Sequence, residues 1–150
     1  MVPSKEVVAI ARRAVEKCGT RDPFEIAEMC RAELIIKELG SLKGFYKIIN
    51  EVPFIFINKS LSSADARLVC AHELGHHALH RKFARVGFEE FSLFCETSRR
   101  EYEANLFAAE LLIDEEALEE YIEYGYTQKQ IAAAFGIDEK LVEMKLNTLQ

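Results

Sequence analysis

No stretch of this 150-residue chain approaches the roughly 20 consecutive apolar residues that cross a bilayer. Its start also lacks the basic-then-apolar pattern of an export signal. Both absences lead to an expectation of a cytoplasmic protein with no membrane role. Cysteine is sparse, and Cys18, Cys30, Cys70 and Cys95 are scattered without a C-x-x-C pair, so neither structural disulfides nor cysteine metal ligation is expected. Positive charge is short as well. Lys and Arg number 19 against 25 Asp and Glu, a net charge of −6, whereas a duplex-binding protein needs a positive stripe to displace counterions. What remains, 49% apolar and 29% charged residues, is the composition of a soluble globular chain. The length suits one domain with its own core.

The chemistry concentrates in Ala71-His72-Glu73-Leu74-Gly75-His76-His77-Ala78-Leu79-His80. Ser62 followed by Asp65 resembles a capping box, so a helix is expected to begin there. Ala66, Val69, Cys70 and Leu74 give it an apolar side, and Arg81, Lys82 and Arg85 follow its end, where cations complement the helix dipole. On that helix His72 and His76 lie one turn apart on one face and can aim two imidazoles at one ion. Such a pair suits tetrahedral Zn²⁺ with an open position, and Glu73 beside the face suits a general base. A histidine at the metzincin offsets is excluded, because Leu79 and Lys82 occupy them. His80 would lie about 12 Å along the axis from His72, too far to share an ion. His77 and His80 are therefore read as surface or supporting residues.

A third ligand has to come from elsewhere. Residues 99–112 form a second expected helix that offers Glu101, Glu103 and Glu110. His72-Glu73-Leu74-Gly75-His76-His77, followed by Glu103-Ala104-Asn105-x-Phe107-Ala108-Ala109-Glu110-Leu111-Leu112, resembles the ImmA/IrrE family of zinc-dependent peptidases. Where that family often continues Met-Pro, this chain has Ile113-Asp114. The resemblance implies an α+β, zincin-like fold with Glu103 as third ligand. It further implies a Zn²⁺ cofactor, with Mn²⁺ as a substitute, and a helix-turn-helix transcriptional repressor encoded nearby as the protein substrate. Cleavage would relieve repression in a prophage, mobile element or stress response. Tyr46, Tyr102, His77 and His80 are candidate oxyanion stabilisers, and Asn105 is a candidate to orient a ligand.

Elsewhere the chain reads as scaffold. Helices are expected over residues 4–18, closed by Gly19, and from Asp22 or Pro23 to Arg31. Strand-like runs at 34–39, 44–49 and 52–58 with short connections suggest a three-stranded antiparallel meander. The 52–58 run could be an edge beside the cleft, able to pair with extended substrate, or plain core. Residues 81–98, with Phe83, Phe88, Phe91, Leu93 and Phe94 around Gly87, read as a connection with core aromatics or a cleft cover. Residues 1–113 would make the catalytic core, and 114–150 a helical segment with an acidic first face. Thr127 to Gln150, with Gly136 at a turn and Asp138 as a cap, looks like a helix-turn-helix. Its mixed charges favour a structural or protein-contact role over DNA. Two alternatives to the peptidase stand: a zinc-stabilised binding module without proteolysis, and a DNA-binding regulator acting through residues 127–150.

Overall fold

The computed structural model describes residues 1–82 and 95–150, without the side chains of 95–97. Phe83, Gly87, Phe88, Phe91, Leu93 and Phe94 lie outside the described residues. Val7 and Ala11, one turn apart and fully buried, fix the inner face of α1 (Ser4–Cys18). The helix stops at Gly19, whose φ of +70° lets its N–H return to the Val15 carbonyl. In α2 (Pro23–Met29), proline occupies the first turn, where no N–H is needed, and the Asp22 carboxylate caps Phe24 N.

The sheet consists of β1 (Glu33–Lys37), β2 (Gly44–Ile49) and β3 (Val52–Asn58), in the order β1-β3-β2. β2 and β3 form the expected hairpin, turned by Asn50 and Glu51 with φ of 52° and 66°. The meander does not continue. β1 pairs with β3 in parallel, Glu33 opposite Phe54 through Lys37 opposite Asn58, so the sheet is mixed and β3 is its centre. Two causes are visible. Six residues between β1 and β2 easily span the roughly 10 Å across an intervening strand. Asn58, 3% exposed, then pins that crossing by donating from Nδ2 to the carbonyls of Gly40 (3.0 Å) and Leu42 (2.8 Å). The apolar run Phe54–Ile57 therefore belongs to a central strand, and β1 and β2 are the edges.

Helix α3 (Ser63–Leu79) starts where expected, with Ser62 Oγ accepting from Asp65 N at 3.1 Å. It packs on the sheet, on α2 and along α4 (Cys95–Leu112). Contact between α3 and α4 is close. A Cβ on Gly75 would stand 2.9 Å from Ala104 Cα and 3.0 Å from its carbonyl oxygen. Beyond α4 come α5 (Glu115–Glu123), α6 (Gln128–Phe135) and α7 (Glu139–Asn147). A reciprocal capping box between Thr127 and Gln130 opens α6, Gly136 at φ +68° closes it, and Asp138 caps α7. No described helix is long and apolar enough to cross a membrane.

A buried ion pair ties α7 back to α4. Lys145, fully buried, donates to Glu110 Oε2 at 2.8 Å and to Glu115 Oε1 at 3.2 Å, while Arg12 of α1 holds Glu110 Oε1 at 2.8 Å. Removing one partner of such a pair strands the other charge in a dry interior. Lys145→Ala is expected to cost about 3–5 kcal/mol, read as a fall in the urea midpoint. An unchanged midpoint would show that Arg12 alone satisfies Glu110.

Candidate metal centre

Along α3 the i, i+4 spacing sets His72 and His76 with ring centroids 4.9 Å apart and planes nearly perpendicular. Both direct Nε2 at one carboxylate of α4. Glu101 Oε2 lies 2.9 Å from His72 Nε2, and Glu101 Oε1 lies 2.8 Å from His76 Nε2. Glu73 is buried beside them, and its carboxylate and one nitrogen from each histidine lie within 4.8 Å of one another.

Glu103, the ligand that the resemblance implied, stands elsewhere. It accepts from His80 Nε2 at 2.7 Å and, through its other oxygen, from Val2 N at 2.7 Å. Helix phase explains the placement. Residues two apart are turned by about 200°, so Glu101 and Glu103 cannot share a face. Glu101 and Asn105, four apart, do share one. Asn105 Oδ1 meets His72 Nδ1 at 2.7 Å. That i, i+4 relation between Glu101 and Asn105 was the available signal for the carboxylate that meets the histidines.

The other nitrogens of the two histidines are also engaged. An amide oxygen only accepts, so His72 Nδ1 donates to Asn105, which leaves Nε2 to give its lone pair to an ion when the ring is neutral. His76 Nδ1 meets His80 Nδ1 at 2.9 Å. Two imidazole Nε2 atoms and a carboxylate thus converge on one point, an arrangement suited to a cation that takes N and O ligands at about 2.0–2.2 Å. The donor set fits Zn²⁺, and Mn²⁺ is compatible with the same atoms.

Electrostatics separates the two glutamates. Burial works to raise the Glu101 carboxyl, but hydrogen bonds and charge from His72 and His76 outweigh it and hold the group well below the usual carboxylate range. For Glu73, burial dominates and raises the pKa, partly offset by His76 and His72. One carboxylate is thereby held ionised and the other made more basic. Burial lowers His72, yet the Glu101 hydrogen bond and the nearby carboxylates carry it above its ordinary value.

These groups open onto a cleft of about 490 Å³. β2 lines one side with Gly44, Phe45 and Tyr46, and α3 adds Leu68 and Val69. The far wall is α7, through Lys140, Leu141 and Met144, a contribution with no signal in the local sequence. Of the four oxyanion candidates, Tyr46 is the one found among the described lining residues. Its ring is fully buried and its hydroxyl lies 2.7 Å from His77 Nδ1. Burial, with Arg81 adding to it, pushes His77 down to about 4. Tyr102, 49% exposed, borders a different hollow with Val8 and Arg12, and His80 borders one beside Val2.

With this geometry in place, the chain can be set beside known proteins. The sequence profile of peptidases with an IrrE N-terminal-like domain matches residues 34–147. A protein described as uncharacterized immunity region protein 2 of Bacillus phage phi105 is 33% identical over 144 residues, covering 95% of this chain and 90% of its own. Metallopeptidase ImmA of Bacillus subtilis strain 168 is 27% identical over 150 residues, covering 97% and 87% respectively.

Proposed function

Because this chain belongs to the ImmA/IrrE family of peptidases, that of the IrrE N-terminal-like domain, we propose that it is a zinc-dependent endopeptidase of the cytoplasm. Its substrate is a helix-turn-helix transcriptional repressor encoded nearby, and cleavage relieves repression. The observation that carries the reading is the convergence of His72 Nε2, His76 Nε2 and the Glu101 carboxylate next to a buried Glu73, on the floor of a cleft. His72, His76 and Glu101 are the ligands, with Glu101 in the place first expected of Glu103. A bound Zn²⁺ supplies Lewis acidity, bringing a water's pKa towards about 7 and polarising a carbonyl.

Glu73 moves the proton. Its burial raises its basicity, as suits a group that accepts a proton from the attacking water and delivers it to the leaving amine. β2 is the sheet's edge on the cleft side, so extended substrate pairs with Gly44–Tyr46 rather than with β3. Leu68, Val69, Leu141 and Met144 offer a large apolar side chain a place to lie. Residues 114–150 therefore act with the core of residues 1–113 as one peptidase domain. The DNA-binding reading of residues 127–150 loses support, since Lys145 is buried against Glu110 and Lys140 lines the cleft. The phage relative's description as an immunity region protein supports the choice of a repressor.

Coexpression with the neighbouring repressor is expected to yield defined fragments that disappear when a chelator is added to the purified pair. A stable complex with no fragment would replace the peptidase with a binding module. Neither complex nor fragment would remove this substrate.

A further inference from the structure

We infer that Glu103 and His80 are positioning residues that fix the proton of His76 and so hold its Nε2 ready for a metal ion. This rests on the peptidase reading of the same site. Glu103 and His80 are each 4% exposed. As a carboxylate, Glu103 accepts only, and its two oxygens take His80 Nε2–H at 2.7 Å and Val2 N–H at 2.7 Å. With its proton on Nε2, a neutral His80 presents a lone pair at Nδ1. That lone pair faces His76 Nδ1 at 2.9 Å, so His76 must donate there. His76 Nε2 faces the Glu101 carboxylate at 2.8 Å; an ion held there would take that nitrogen's lone pair, and the one proton of the ring then stands on Nδ1, where His80 accepts it.

With the protons placed this way, each bond in the chain Val2–Glu103–His80–His76 has one donor and one acceptor. The two ligand histidines are thus supported differently: His72 by one amide directly, His76 by a carboxylate acting through a second imidazole. Without His80 as acceptor, the His76 proton can sit on Nε2 and compete with the ion.

Two measurements test this. In the ring-nitrogen NMR spectrum of the zinc-loaded wild type, His80 is expected as the Nε2–H tautomer; an Nδ1–H tautomer would overturn the inference without any variant. Zn²⁺ affinity, read by competition with a chromophoric chelator, is expected to fall about 10–100-fold in His80→Phe. His80→Gln restores an acceptor and is expected to recover most of it. Equal affinity in wild type and His80→Phe, or equal loss in both variants, would overturn it. A wild type that binds no Zn²⁺ would instead remove the peptidase reading and, with it, the inference that rests on it.

Discussion

Glu73→Gln is expected to keep one zinc per chain and to lose hydrolysis by about 10²–10⁴-fold in kcat/KM, the range for removing a general base. At about 1.36 kcal/mol per factor of ten, that is roughly 3–5 kcal/mol of transition-state stabilisation. The substitution is nearly isosteric and leaves His72, His76 and Glu101 untouched. It removes only the ability to take a proton. Burial has raised the basicity of this carboxylate, whereas an amide has none to offer near neutral pH. Metal content and cleavage rate should be measured on the same preparation. Activity within tenfold of wild type would end the assignment of Glu73 as base, and loss of zinc would make it a ligand.

Metal retention should also separate the two acidic residues of α4. Glu101→Ala is expected to lose its zinc on dialysis, well beyond the about 100-fold weakening expected of a residue that acts through another. Glu103→Ala should retain metal at saturating zinc, with affinity lowered within that range. The reasoning is geometric: Glu101 meets both Nε2 atoms at 2.8 and 2.9 Å, while Glu103 is occupied by His80 and Val2. The reverse pattern would return the third-ligand role to Glu103.

Much of this was readable from the residues. Caps act over three or four positions, so Ser62 and Asp138 marked helix starts that the structure keeps. His72 and His76 needed only the helical repeat. What escaped depended on distance along the chain or on phase. Strand order turned on Asn58 pinning a loop 16 to 18 residues away, which short connections do not reveal. Which glutamate meets the histidines turned on helix phase, which favours Glu101 with Asn105, whereas the family resemblance had pointed to Glu103. Lys145 was one of the mixed charges of residues 127–150, and composition carries no depth. Its partner Glu110 lies 35 residues earlier.

Gly75 stands inside the second half of α3, where glycine costs about 1 kcal/mol relative to alanine. Its bare Cα is what lets Ala104 of the opposing helix come so near. Donors carried on two separate helices can meet one ion only if the gap between those helices is correct to a fraction of the metal–ligand bond. The chain sets that gap with an omitted methyl group, a spacer of zero thickness. The calibration of the centre therefore lies three residues from His72 and one from His76, at a position that touches no ligand and carries no chemistry of its own.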